Sequence, residues 1–409
     1  MISVDEAVAR IARSFAPLPS ETIPVADSAT RVLAQDAVAQ WDQPPAPMSA
    51  MDGYAVRLAD AFAGAELSVI GESPAGRPYA GSVAPGQAVR IFTGGVVPEG
   101  ADAVVIQEDT IPLSPSGEEG QGEGAVSKVR ITEAPRPAEN IRPRALDFHA
   151  GEILLRRGQR ISPRDVALLA AADLPHVSVT RKPSIGLVAT GDELSRPGEA
   201  RKEGGIVASS IYALQAMVRL WGGEPFDLGI LPDRPEAFAQ LQLAAKNADL
   251  IVTQGGASVG DHDLVQSALK PHGFQLDFWR IAMRPGKPLI FGRLRDTPFL
   301  GLPGNPVSAM VCAILFMQPA IAAMLGMEYH PPVTRARLAS PLRPNGKRQD
   351  YIRAKLTRRD GVLFAEAFAL QDSSMQKIFA QSDGLIIRKV DATAARPGDD
   401  VDVLVLDGS

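Results

Sequence analysis

LIVTQGGASVGDHD, residues 250–263, is an apolar run followed at once by three glycines, a serine and two aspartates. The run is short and β-branched, the pattern of a strand buried on both faces of a sheet. Glycines placed directly after such a strand let backbone N–H groups approach phosphate oxygens, and the helix that follows adds its dipole. The loop lacks a P-loop lysine and ends in Asp261, His262 and Asp263. Carboxylates repel a polyanion unless a divalent cation stands between them. Magnesium suits that place, since it takes one or two carboxylates and completes its shell with water and phosphate.

The texture on both sides of this stretch is a regular alternation. SIGLVAT reads as a strand, Ser210 to Trp221 as a helix closed by Gly222, PFDLGIL as a strand and Pro235 to Asn247 as a helix. Beyond LIVTQ come a helix over Asp263 to His272, the strands PLIFGRL and PFLGLPG, and a long helix from Asn305 to Leu325. Strands alternating with helices of this length predict a parallel, doubly wound sheet with helices on both faces, a three-layer α/β unit. Ligands bind such sheets beyond the carboxyl ends of the strands. The unusual loops ATGDEL, LPDRPE, GGASVGDHD, MRPGKP and GLPGNPVS all fall at such ends. One glycine-rich loop is weak evidence; five on one rim predict a binding face.

Further out, Ser3 with Glu6 has the capping-box pattern and opens an amphipathic helix. A second short helix is expected over Asp27 to Ala34. From Trp41 to about Asn140, LSVIG, AVRIF and ADAVVI between Gly and Pro turns predict a small all-β domain. Inside it, residues 114–127 are Gly, Ser and Glu with almost nothing to bury, the composition of a mobile hairpin tip. ISPRDVALLAAAD predicts a helix with Ser162 as its N-cap and Pro163 at its first position. After about residue 335 the pattern is β-like again.

Composition bounds the function. With 409 residues, 45% of them hydrophobic and 22% charged, the chain can build several cores. A net charge of −5 exerts no general pull on nucleic acid or anionic membrane, so any anion site must be local. The single cysteine, Cys312, lies in an apolar helical run and reads as a core residue, and the five histidines show no zinc spacing. No secretory start and no segment approaching a membrane span is read, which makes a cytoplasmic protein the expectation.

On the predicted rim, Asp233 and Asp263 either cap their helices or hold magnesium. His262 reads as a surface or supporting residue. Gly255, Gly256, Ser258 and Gly260 would form the phosphate cradle, with Pro303, Gly304 and Asn305 in the loop beside it. Arg284 and Lys287, braced by Pro285 and Pro288, suggest an anion subsite, to which Lys347, Arg348, Asp350 and Arg353 could add. Asp52 in SAMDGYA and Thr93 in FTGG are ambiguous alone, since each fits a turn.

PxSAMDGYAV (47–56), TGGVVPEGADAVV (93–105), TGDEL (190–194), GGASVGDHD (255–263), MRPGKPLIFG (283–292) and GLPGNPVSA (301–309) stand in one order. Through them the chain resembles, over its full length, the molybdopterin molybdenumtransferase family, which includes the bacterial MoeA proteins and the E domain of gephyrin. The resemblance implies a homodimer of four-part subunits. Residues 1–40 and 141–180 would form a mixed N-terminal domain, 41–140 an inserted β domain, 181–330 a molybdopterin-binding α/β domain, and 331–409 a β-barrel-like C-terminal domain. It implies insertion of molybdate into the dithiolene of adenylyl-molybdopterin, with magnesium-dependent release of AMP. Asp52 and Thr93 would come from one subunit. Glu193, Asp233, Asp263, Arg284 and Lys287 would come from the other, with Arg348 and Ser373. Transient contacts with the molybdopterin adenylyltransferase and with acceptor molybdoenzymes would follow, and none with nucleic acid or membrane. A molybdopterin adenylyltransferase and a gephyrin-like scaffold are the rival readings. The chain departs from the family where it has Arg284 for lysine, Ser210 for asparagine, and QDSSMQKIF (371–379, with Lys377) for a glycine- and serine-rich run.

Overall fold

The computed structural model describes residues 1–113, 128–255 and 268–406. Its centre is a six-stranded sheet in the order Glu224–Leu231, Ser184–Thr190, Leu250–Gln254, Thr297–Leu302, Pro288–Leu294, Phe274–Arg280. The first four strands pair in parallel, and the last two pairings are antiparallel. The expected all-parallel sheet is therefore corrected to a mixed one. Pro288–Leu294 and Thr297–Leu302 form a hairpin, and only two residues, Arg295 and Asp296, separate them, too few for a crossover helix. Phe274–Arg280, unforeseen in the sequence, restores the common direction. Five of the six strands thus end on one rim.

Alternate residues of these strands enter two cores. Ile185, Leu187, Leu250, Val252, Leu300 and Leu302 pack with the helix Ser209–Leu220 and the helical stretch 306–325, whereas Val188, Ile251 and Phe299 pack with Phe238, Leu241 and Leu269. That is the period-two signature of a sheet covered on both sides. The helical stretch starts as Pro306–Cys312, passes through a π-helical segment, Ala313–Met317, and ends as Gln318–Leu325 with Gly326 left-handed at φ 75°. It is long and apolar enough to cross a membrane, which corrects the expectation that no segment approaches such a span, yet 83% of the 18 residues that meet this test are buried inside the protein. Cys312 within it is fully buried, as expected of a core residue.

Two other expected helices differ. Asp27 to Ala34 is not helical: a single 3-10 turn, Val25–Asp27, ends there, and Leu33 then bridges Val179 while the Ala34 N–H donates to the Ser178 carbonyl. Pro235 to Asn247 breaks into a 3-10 turn, Pro235–Gln240, and a short helix, Leu241–Ala245. Of the helix expected over 263–272, only the end is described, with a 3-10 turn at Lys270–His272. The readings of residues 114–127 as a hairpin tip and of His262 lie outside the described residues.

The first helix, Val4–Arg13, is capped by Ser3 and buries Val4, Ala7 and Ile11 against the helical stretch 306–325. Ser20–Pro24 pairs with His176–Thr180, and Leu33, Leu155, Ile161, Leu169 and Val177 form a separate small core. Pro163–Ala171 is the expected helix, its Ser162 and Asp165 completing a capping box. Between these parts lies a second six-stranded sheet, Ala103–Ile106, Gly53–Val56, Gln87–Ile91, Glu66–Ser73, Lys128–Ile131, Thr110–Leu113. At the C-terminal end, Gln349–Arg359, Val362–Ala367, Val333–Leu338, Asp400–Val405 and Gly384–Arg388 each pair with two neighbours, so the five strands close into a barrel. Met283–Arg284 adds to that barrel alongside Gln349 and Asp350.

Candidate active site

The five co-directional strands end at Thr190, Leu231, Gln254, Arg280 and Leu302, and each of the five loops singled out in the sequence follows one of them. Gly255 shows why glycine stands there. Its φ is +103°, and a Cβ would lie 2.6 Å from the Thr190 carbonyl oxygen and 2.7 Å from its Oγ1. Gly304 approaches in turn: a Cβ on it would sit 3.7 Å from Gly255 Cα. The Gln254 side chain donates from Nε2 to the Gly304 carbonyl at 2.6 Å, tying the ends of the two strands together. Above them opens a cleft of about 820 Å³, lined among others by Glu193, Gln254, Pro303, Gly304 and Asn305. Asn305 donates from Nδ2 to Ser373 Oγ at 2.9 Å, and the Val307 N–H donates to the Ser373 carbonyl. The start of the helix is thereby joined to the segment 371–379. That segment is no open loop here, for Gln376–Ala380 is a helical turn and the Gln376 side chain reaches Ser209 Oγ at 2.9 Å.

On the acidic side of the rim, burial together with the carboxylates of Glu193 and Asp192 pushes the Asp233 carboxyl above its ordinary range. Like charges so placed disfavour one another's ionisation. Asp263, Gly256, Ser258 and Gly260 lie outside the described residues. Among the described residues no group of three or more His, Cys, Asp and Glu is arranged to hold a metal. The donors that do gather, carboxylate oxygens in mutual repulsion, are the type a hard divalent cation takes, so they fit magnesium in chemistry.

The basic residues separate. Arg284 ion-pairs with Asp350, a residue only 4% exposed, and its backbone is paired to Asp350 as well. Arg353 is buried and donates to Gln371 Oε1 and to the Asp372 carbonyl. Neither Asp350 nor Arg353 is therefore free to add to an anion subsite, as their spacing in GKRQDYIR had suggested; Asp350 is taken up by Arg284, and Arg353 by Gln371 and Asp372. Lys287 is half-buried on the loop that ends at Pro288, a lining residue of the cleft. Arg348 is half-buried at the start of the barrel strand, where its carbonyl accepts from Asn345 Nδ2.

Asp52 and Thr93 are together but elsewhere. The Asp52 carboxylate accepts from the Thr93 N–H at 2.7 Å and from Thr93 Oγ1 at 2.8 Å, on the exposed rim of the second sheet. Those two bonds hold the carboxyl below its ordinary range. Neither residue lines the cleft of its own chain among the described residues. Thr190, Arg201 and Gln254 do line it, and sequence reasoning passed over them. Gln254 and Thr190 read there only as the last residues of buried strands, and Arg201 carried no signal.

Comparison with known proteins adds a family to this geometry. Residues 2–172 match the MoeA N-terminal region (domain I and II), 186–323 a probable molybdopterin binding domain, and 335–406 the MoeA C-terminal region (domain IV). A molybdopterin molybdenumtransferase from Haemophilus influenzae is 33% identical, over 98% of each chain. One from a Nostoc species is 37% identical over 92% of this chain and 86% of its own. The crystal structure of the molybdopterin biosynthesis MoeA protein from Pyrococcus horikoshii superposes with a TM-score of 0.84 at 28% identity, covering 100% of both chains.

Proposed function

The chain belongs to the molybdopterin molybdenumtransferase family, transferases of molybdenum cofactor biosynthesis, and from that premise we propose that its cleft joins molybdate to adenylyl-molybdopterin. The products would be molybdenum cofactor and AMP. The observation that carries this reading is the convergence of five strand-end loops around one cleft, in a chain that its relatives match from end to end. Gly255 and the loop Pro303, Gly304, Asn305 would receive the phosphate groups, because their backbone approaches closely and a helix begins there. Lys287, with Arg284 and Arg348, would draw molybdate in and reduce the repulsion between two anions that must meet.

Magnesium would be held through Asp233, with Glu193 and Asp263 as the further carboxylates the resemblance implies, and would neutralise charge on the phosphoanhydride. Asp52 and Thr93 would complete each cleft from a partner subunit. That arrangement requires a homodimer, and the four-domain division given above would serve it. A cytoplasmic setting, with hand-over to acceptor molybdoenzymes, completes the reading. The test is AMP release from adenylyl-molybdopterin on adding molybdate, with and without magnesium and with tungstate in parallel. Release that is independent of oxyanion would overturn the reading.

A further inference from the structure

One short piece of the barrel domain forms a wall of the cleft. Ser374 and Gln376 line it, as do Ser209 and Ser210 at the start of one helix and Asn305 and Pro306 at the start of another. This strap has a firm root. Arg353, only 2% exposed, donates from Nε to Gln371 Oε1 at 3.1 Å and from Nη1 to the Asp372 carbonyl at 2.7 Å. Gln371 Nε2 donates back to the Arg353 carbonyl at 3.0 Å, and Asp372 Oδ1 accepts from the Ser374 N–H at 2.8 Å. A buried guanidinium bonded in this way is costly to disturb.

Where the strap meets the α/β unit, its bonds are of another kind. The Ser373 carbonyl accepts from the Val307 N–H at 3.0 Å, and Ser373 Oγ accepts from Asn305 Nδ2 at 2.9 Å. Further on, Phe379 packs against the central core. Between those two fastenings, Gln376 Nε2 donates to Ser209 Oγ at 2.9 Å, across 167 residues of sequence. That one bond sets how near the middle of the strap stands to the start of the helix Ser209–Leu220. Gln376 is exposed, so water competes for the bond, and its loss shifts an equilibrium by about two- to ten-fold.

We propose that Gln376 is a positioning residue for the reaction: through Ser209 it holds the strap at the spacing from the helix start at which the cleft grips its substrate. It touches no reacting atom. This rests on the function proposed above, since adenylyl-molybdopterin is taken as what the cleft grips. A cleft that has its gripping width only part of the time binds more weakly in proportion to that fraction, while substrate once bound reacts at the same rate. Loss of the bond therefore raises KM and leaves kcat in place.

The experiment compares wild type with Gln376→Met, Ser209→Ala, the double variant and Ser209→Thr. Methionine keeps the length of the side chain and removes its amide, and threonine keeps the hydroxyl. A thermal melt verifies that each variant folds. The KM for adenylyl-molybdopterin and the kcat of AMP release are measured, together with deuterium uptake in the peptide that carries Val307. In the first turn of its helix the Val307 N–H has no partner within that helix, so its protection reports on Ser373. Gln376→Met and Ser209→Ala are each expected to raise KM two- to ten-fold with kcat held, and to speed uptake at Val307. The double variant should be no worse than the worse single one, because both break the same bond, and Ser209→Thr should stay near wild type. The proposal is overturned if KM is unchanged in both single variants, if their effects multiply in the double variant, or if kcat falls instead of KM rising. Faster uptake at Val307 that does not add in the double variant, in a protein that releases no AMP with molybdate, would support the strap's fastening and sink the function proposed above.

Discussion

Gly255 and Asp233 flank the strand Ser184–Thr190, and each is held in a state that costs stability where the chemistry is proposed. Gly255 has no room for a Cβ beside Thr190 and a backbone angle that other residues rarely adopt. Gly255→Ala should therefore lose about 1–3 kcal/mol, read as a lower Tm, and widen the cleft floor so that substrate KM rises. Asp233 carries the opposite kind of cost. Its folded-state pKa lies above the ordinary carboxyl value, so the penalty is absent while the group is protonated and appears as pH rises through that raised value. Replacing the charge removes the penalty. Asp233→Asn should melt higher than wild type at pH 7, the difference should vanish near about pH 3, and AMP release should fall. Equal melting at both pH values would show that neither burial nor the carboxylates of Glu193 and Asp192 raise its cost.

Among the elements, what the sequence revealed depended on how local the cause was. The helix Pro163–Ala171 was legible because Ser162, Pro163 and Asp165 are all within its first turn. The five rim loops were legible because glycine and proline announce themselves. Asp27 to Ala34 misled, since its helical spacing yields to a bridge with Val179, a partner 146 residues from Leu33 in sequence. The strand Phe274–Arg280 hid behind exposed polar residues at Gln275 and Asp277. The sites that matter most for anion binding were partly readable, as with Lys287, and partly not. The pairing of Arg284 to Asp350 joins the rim to the barrel, across 66 residues, and no spacing rule reports it. The same loop depends on Gly286, where φ is +107° and a Cβ would lie 2.4 Å from Cys312 Sγ. Gly286→Ala should accordingly push Arg284 and Lys287 away from the buried helix, with a loss of about 1–3 kcal/mol and a fall in molybdate-dependent rate. Adding Cys312→Ala removes the sulfur that the new methyl meets, so the double variant should regain part of the Tm. A double variant no better than Gly286→Ala would place the whole cost in the backbone angle.

At the scale of the whole molecule, the proposed function needs the Asp52–Thr93 pair on the second sheet to meet the cleft on the first. Asp52 and Thr93 hold each other in a fixed geometry at an exposed rim, and neither lines its own chain's cleft among the described residues. A carboxylate kept ionised and oriented by two hydrogen bonds, with no buried partner of its own, is suited to a ligand held by another surface. In a two-fold dimer the contact that brings Asp52 of one subunit to the cleft of the other is made twice. Asp52→Ala and Asp233→Asn should each abolish AMP release, yet a dimer with one of each would hold one cleft carrying both changes and one carrying neither. After full subunit exchange at equal amounts, half the dimers are mixed, and half of their clefts are intact. The mixture should then regain about a quarter of wild-type activity, while neither variant alone regains any. The measurement is AMP release before and after mixing, with exchange verified by mass-tagged subunits. Activity that stays at zero despite proven exchange would mean that Asp52 and Asp233 serve the same chain's site, whereas an Asp52→Ala variant that is active by itself would mean that Asp52 serves none.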